Sequence, residues 1–376
     1  MISALSGTIS RHKNKIVKIT LKFRLRDKHA AELNRQAHAV NFVWNYCNET
    51  QQKAVAYQRR WLSGYDLWKL VAGCAKQGLD LQAHSAMRVC MQYDKSRRQH
   101  KKRWLRWRGK KSLGWVPFNT DAVKFRGGAF VFRKTRYETM HLREMKDGIK
   151  IGAGSFNQDS RGRRYLNCPV DIAEANSAPN ARVGIDLGLH SFATTSDGEK
   201  IKAPQFYRKN EAFLATAQRA KKTKRVKAIH AKIANRRKDF LHKESAKLTK
   251  QYGLIVVGDV SPSKLAKTLM AKSVLDAGWA DFKNTLRYKS IRNGGSTIEV
   301  SEAYSSQVCS ACGSLPASRP KGIANLGIRE WTCDCCGTVH DRDCNAAKNI
   351  LRSGLATLVE GARQNGSSHD ERKQMN

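Results

Sequence analysis

Residues 181–203 read ARVGIDLGLHSFATTSDGEKIKA. An apolar run over 182–187 meets Gly188, a second run follows at 192–195, and the tight Ser196-Asp197-Gly198 turn leads to a third at 200–203. Three strands joined by short turns are the simplest reading of that pattern. Asp186 stands near the end of the first strand, where a carboxylate either opens a turn or holds something at a sheet edge. The order of elements that follows bears on which.

Residues 206–251 form a long basic stretch with helical periodicity and no internal Gly or Pro. A buried strand follows at 254–257, then an amphipathic helix with Leu275, Trp279, Phe282 and Leu286 on one face, closed by Gly294-Gly295. Another short strand at 297–301, a cysteine-rich segment and the helix NAAKNILRSGLATLV complete the series. Three strands, helix, strand, helix, strand, insert, helix is the ribonuclease H-like order, with the first, fourth and fifth strands parallel at the centre. In such a sheet, carboxylates at the C-terminal edge of the central strands and at the start of the last helix converge. Two divalent ions about 4 Å apart, held there, activate a water and stabilise a leaving oxygen of a phosphodiester. Hard oxygen ligands point to Mg2+ or Mn2+.

Asp186 fits the first of these positions. Asp343 fits the last, with helix capping as its alternative use and Asp341 as a rival. The middle position is open. In LIVVGDVSPSKL (residues 254–265), Gly258 stands where a carboxylate is expected, and Asp259 is one residue further along. A one-residue step along a strand turns a side chain to the opposite face. Glu302, just beyond the fifth strand, offers another solution, because neighbouring strands lie about 4.8 Å apart and an extended glutamate bridges that distance. Glu302, Asp259 and no third carboxylate stay open, with Glu302 preferred.

Of ten cysteines, six lie between Cys309 and Cys344. Cys309 with Cys312, and Cys333 with Cys336, make two CxxC knuckles separated by a twenty-residue loop. Four thiolates at this spacing fit one closed, structural zinc site. Disulfides are the other use, and Cys335 could replace a neighbour in the second knuckle. A thiolate site needs a reducing compartment, here read as bacterial cytoplasm. Cys47, Cys74, Cys90 and Cys168 read as ordinary core thiols.

The 376-residue chain carries 70 Lys and Arg against 31 Asp and Glu, a formal charge of +39. Such an excess on a globular composition calls for a polyanion, nucleic acid before an anionic membrane surface. No apolar run is long enough to span a bilayer. Residues 8–26 alternate as a strand, 27–108 turn helical, and 115–172 return to strands, with FRGGAFVFRK as a hairpin. AEANSAPNA, at 173–181, reads as a linker. Ten of the seventeen residues 95–111 are Lys or Arg, with Trp104 and Trp107 at helical spacing. Arg97, Arg98, Lys101, Lys102, Arg103, Trp104 and Arg106, with Lys221, Lys222, Lys224 and Arg225, are the candidate nucleic-acid contacts, on helices.

GIDLGLHSFATTSDG, the long basic helix, YSSQVCSACGS and WTCDCCGTVHDRDCNAAKNIL together resemble TnpB, the insertion-sequence-encoded RNA-guided nucleases related to type V CRISPR effectors. The resemblance implies an α/β plus β-barrel protein. Residues 1–26 and 112–175 would form a wedge β-barrel and 27–111 a helical recognition insert, with 176–181 the linker. Residues 182–306 and 341–356 would form a RuvC-like nuclease, 307–340 its zinc insert, and 357–376 a disordered tail. It implies Asp186 and Asp343 as catalytic carboxylates, the latter as the Asp of an Asp-x-Asn-Ala-Ala-x-Asn pattern. Some relatives carry the middle glutamate on the strand before the knuckles, where Glu302 stands; others are nuclease-dead RNA-guided DNA-binding repressors. A guide RNA from the transposon end, double-stranded target DNA with a short adjacent motif, one zinc and two catalytic metal ions complete what is implied.

Overall fold

Alternate residues of two apolar strands, Val183 and Ile185 on one and Ile255 and Val257 on the other, are fully buried on one face of a five-stranded sheet. The structure, a computed structural model, describes residues 16–141, 145–173, 175, 177–260, 271–321 and 327–371. The chain divides into two compact units, residues 18–172 and, in the main, 173–376. The first half of the strand read at 8–26 and the last five residues of the tail lie outside the described residues.

The first unit contains β1 (Ile16–Arg24), α1 (Ala30–Gln58), α2 (Gly64–Val71), α3 (Ala83–Gln99), β2 (Trp115–Phe118), β3 (Lys124–Arg126), β4 (Ala129–Phe132), β5 (Thr135–Tyr137), β6 (Gly154–Gln158) and β7 (Arg164–Ala173). The expected hairpin is β3–β4, turning on Gly127 and Gly128, both in the left-handed region that such turns require. Among the described residues the strands do not close into a barrel. They form an open sheet in the order β1-β7-β6-β2 and a separate β3-β4-β5 meander. Strands of three or four residues give ladders too short to carry a closed register. Only isolated bridges, Leu25 with Thr139 and Ile151 with Val170, add to them.

The second unit contains β8 (Arg182–Leu187), β9 (Ser191–Thr195), β10 (Lys200–Lys202), α4 (Glu211–Arg219), α5 (Thr223–Gln251), β11 (Leu254–Gly258), α6 (Ala271–Ala277), α7 (Trp279–Arg292), β12 (Ser296–Val300), β13 (Glu330–Thr332), β14 (Val339–Asp341) and α8 (Arg342–Glu371). The sheet order is β10-β9-β8-β11-β12, with β11 parallel to both β8 and β12. This is the strand arrangement expected from the sequence. Phe192, Leu241, Phe282 and Leu286 pack on one face. Helix α8 lies on the other, against Val256 and Val300 through Ile350. It lies very close: a Cβ at Gly184 would sit 2.1 Å from the Ala347 carbonyl, and one at Gly354 2.5 Å from Val256.

Three helical expectations change. The basic stretch is two helices, broken at Lys221, whose φ is +51°. Five of residues 219–225 are cations, and their repulsion disfavours a continuous turn there. The amphipathic helix is broken at Gly278, φ +70°, so Trp279, Phe282 and Leu286 stay buried while Leu275 is 63% exposed. Helix α8 runs to Glu371, through most of the region expected to be a disordered tail. No proline interrupts it after Arg342. No helix among the described residues is long and apolar enough to cross a membrane.

Candidate active site and metal centre

Strand parity places the carboxylates. Gly184 faces α8, so Asp186, two residues on, returns to the same face. Val257 pairs with Ile185 and Gly258 with Val300. Val300 packs with Ile350 of α8, and Glu302 is again two residues on. Gly258 therefore sits between β8 and β12 on the side that Asp186 and Glu302 share. A Cβ at Gly258 would lie 3.1 Å from Glu302 Oε2, 3.3 Å from Glu302 Cβ and 3.3 Å from Ile350 Cδ1. The glutamate packs closely against the space that a side chain at position 258 would enter.

Asp259 has a different role. It is exposed, its amide donates to the Val300 carbonyl (2.9 Å), and its Oδ1 accepts the Glu302 amide at 3.2 Å. It shapes the turn that delivers Glu302. Asp341 and Asp343 also separate. Asp341 precedes α8 and caps it, accepting the Cys344 amide at 2.9 Å, and it pairs with Lys200 at 2.5 Å. Burial works against its charge, but Lys200 and the Cys344 amide outweigh it and leave its pKa below the ordinary value. Asp343, the second residue of the helix and within its first turn, keeps a looser contact, 3.5 Å to Arg329.

Burial first, then the charges of Asp343 and Glu302, push the Asp186 carboxyl from 3.8 up to about 7; Arg342 opposes them. Burial and then Asp259 raise Glu302, against the cation of Lys283. Lys283 is a buried residue that the sequence reading passed over; its Nζ donates to the Val260 carbonyl (3.3 Å) and to Glu299 (3.0 Å). The oxygens of Asp186, Glu302 and Asp343 do not all come within 4.8 Å of one another, as the four cysteine sulfurs do. Asp343 and Glu302 nonetheless both act on Asp186, and three carboxylates offering only oxygen donors fit hard divalent cations.

A stability consequence follows. Asp186 binds its proton more tightly folded than unfolded, so without added divalent metal stability falls as pH rises from about 3.8 to about 7. At pH 8 without added metal, Asp186→Asn is expected to be the more stable chain in thermal unfolding, by up to roughly 4 kcal/mol. Near pH 4 the difference should vanish.

The thiols are gathered more tightly. Cys309 and Cys336 sulfurs are 3.6 Å apart and those of Cys312 and Cys333 3.8 Å, with all four within 4.8 Å. Tetrahedral zinc with bonds of about 2.3 Å sets its sulfurs about 3.8 Å apart, so the four fit one zinc ion. The two knuckles repeat each other. In each, the first cysteine amide donates five residues ahead (Cys309 to Ser314, Cys333 to Thr338), and the following glycine, Gly313 or Gly337, turns with positive φ. A hydroxyl then meets the second sulfur, Ser314 at Cys312 and Thr338 at Cys336. Ser314 holds the Cys312 thiol down to about 6. That repeat, CxxC-Gly-Ser/Thr, is the signal that assigns Cys336 over Cys335. His340, also missed, is buried with Nε2 at 3.0 Å from Cys309 Sγ, and its ring packs on Trp331. Asn345 and Asn349 donate to the Val308 carbonyl at 2.8 and 2.7 Å, fastening the first knuckle to α8.

The basic run is rearranged relative to expectation. Helix α3 stops at Gln99, Lys101 takes a positive φ, and residues 102–109 are irregular, so Trp104 and Trp107 are not on a helix. Arg97 is largely withdrawn, stacked on Trp61 at 4.3 Å and near Asp94, and Arg98 pairs with Asp94. Lys101, Lys102, Arg103, Trp104 and Arg106 are exposed, as are Lys221, Lys222, Lys224 and Arg225.

The comparisons with known proteins agree with this architecture. Over 374 residues the chain is 31% identical to a Streptomyces pristinaespiralis protein named "Putative RNA-guided DNA endonuclease", covering 92% of this chain and 91% of that one. The chain belongs to the TnpB (OrfB, IS605) family. The OrfB_IS605 model, described as "Probable transposase", matches residues 165–269, and the Cas12f1-like TNB domain matches residues 279–350. A second relative, "Putative RNA-guided DNA endonuclease InsQ" of Escherichia coli K12, is 30% identical over 232 residues, 54% of this chain and 56% of its own length. In fold, the chain resembles the protein of the Cas12f1–sgRNA–target DNA complex, with a TM-score of 0.58 at 13% identity, over 89% of this chain and 99% of that one. The four-cysteine cluster lies in the segment that matches the zinc-binding TNB domain.

Proposed function

We propose that this TnpB-family chain is an RNA-guided DNA endonuclease whose catalytic carboxylates are Asp186, Glu302 and Asp343. The observation that carries the reading is the complement at Gly258. A glycine stands where the resemblance implies a carboxylate, and the side chain of Glu302 packs closely against the space that glycine leaves. A pair of Mg2+ or Mn2+ ions bound by the three residues would supply an activated water and stabilise the leaving oxygen. Lys283 places a cation beside Glu302, favouring the ionised form that can act as a ligand. Asp259 fixes the Glu302 backbone, and Asp341 starts the helix that presents Asp343.

In this reading residues 1–26 and 112–175 act as the wedge and 27–111 as the recognition insert, and together they grip a guide RNA from the transposon end and read a motif beside the target. The spread of exposed cations suits a heteroduplex recognised by its backbone, while base pairing selects the sequence. The test is cleavage of guide-matched DNA by the chain co-purified with its RNA, in Mg2+. Cutting of matched and not of mismatched DNA is expected. Gly258 also raises the second reading, a nuclease-dead repressor, and tight guided binding without cutting would establish that one instead.

A variant at the pivot gives a graded check. Gly258→Ala, with no positive φ to strain it, should displace Glu302 and slow cleavage on the order of tenfold while guided binding holds.

A further inference from the structure

The irregular segment that replaces the expected helix is held in one shape. Four residues of α1 on one face, Asn41, Trp44, Asn45 and Asn48, donate side-chain hydrogen bonds to the carbonyls of Gly109, Arg106, Arg108 and Leu105 at 2.8–3.4 Å. Asn45 also accepts the Arg108 amide at 2.8 Å, and Asn41 accepts Arg108 Nε at 2.7 Å. Those positions recur at three and four, so a single helix face serves as a rail for the backbone of residues 105–109. The rail takes up the carbonyls of residues 105, 106, 108 and 109, while the side chains of Arg106 and Trp107 stay exposed. Trp107 is 54% exposed, and Arg103, Trp104 and Arg106 are exposed too. Beside them Trp104 meets Trp61 with ring centroids 5.7 Å apart, flanked by Arg103 on Trp104 and Arg97 on Trp61.

A solvated charged run needs no such rail, and tryptophans destined for a core would not be left at the surface of one. Ordered exposed rings interleaved with cations match one ligand chemistry well. Cations take phosphates, whereas an indole face stacks only on a base whose own face is free. Bases inside a duplex have both faces occupied by their neighbours.

We propose that Trp61, Trp104 and Trp107, with Arg103 and Arg106, form a platform for unpaired nucleotides rather than for the paired heteroduplex. The proposal rests on the nucleic-acid reading above and specifies the form of strand bound at this surface.

The test uses the full chain, freed of co-purified nucleic acid at high salt. Its probes are fluorescein-labelled oligo-dT, oligo-U and a blunt DNA duplex of equal length, followed by anisotropy at two salt concentrations. Trp107→Ala should weaken single-strand binding roughly tenfold and leave duplex binding within about twofold. Trp107→Phe should restore most of the affinity. Arg106→Ala should instead lower the salt slope by about one. Losses on oligo-dT alone or oligo-U alone assign the strand to DNA or RNA, and either supports the platform. Equal losses on duplex and single strands, or none on either single strand, overturn it. Wild-type chain that binds none of the three probes overturns the nucleic-acid reading itself.

Discussion

Glu302→Gln is expected to leave guided DNA binding within about twofold of wild type while lowering strand cleavage on the order of 10^3-fold, equivalent to about 4 kcal/mol of lost transition-state stabilisation. The amide keeps the shape of the side chain in the space beside Gly258 and removes only its charge and its capacity as an anionic ligand. Asp259→Asn is the matched control. Its amide oxygen can still accept the Glu302 backbone N–H, so cleavage should stay within about tenfold of wild type. If Asp259→Asn abolished cutting and Glu302→Gln did not, the assignment would be reversed. Both rates are read from single-turnover cleavage of guide-matched DNA.

The second large effect concerns the knuckles. Cys333→Ser should lower bound zinc from about one per chain to near zero by elemental analysis, whereas Cys335→Ser should retain it. Structural zinc binding is worth on the order of 10 kcal/mol where folding depends on it, and here it closes two otherwise separate turns. The loss should spread to catalysis. The first knuckle is tied through the Val308 carbonyl to Asn345 and Asn349, and the Ser305 carbonyl, three residues beyond Glu302, accepts from Asn349 at 2.8 Å. Loosening the knuckle therefore loosens the turn that presents Glu302. The sheet itself, with its core on the opposite face, should survive, seen as retained far-ultraviolet circular dichroism.

The five-stranded sheet was legible because its strands are apolar runs with clear punctuation, and period two then assigns each carboxylate to a face. Gly258 and Glu302 could be related from the sequence by parity and strand spacing alone. Their mutual fit, and the clip from Asp259, needed coordinates, because they depend on a turn whose path no local pattern specifies. The same holds for Asp341 against Asp343: a capping residue and one in the first turn of the helix look alike until the first backbone amide finds its partner.

The misread segments have different causes. Gly278 stands in plain view inside its helical pattern and marks the break that exposes Leu275. At Lys221 and Lys101 the chain turns through positive φ at a lysine, with no glycine or proline to signal it. Crowded cations lower the stability of a continuous helix there, and tertiary contacts then decide the path. For residues 102–109 those contacts are the asparagines of α1, more than fifty residues earlier in the chain. The open sheet in place of a barrel reflects the shortness of β2 to β5, since the sequence shows strand character but not which ladders continue.

The pairing of Glu302 with Asp186 and Asp343 is tested most directly by anomalous scattering from crystals of the full chain soaked in Mn2+. Manganese bound by Asp186, Glu302 and Asp343, with Asp259 outside its ligand shell, is the expected result. Manganese held without Glu302, or by Asp259 in its place, would contradict it.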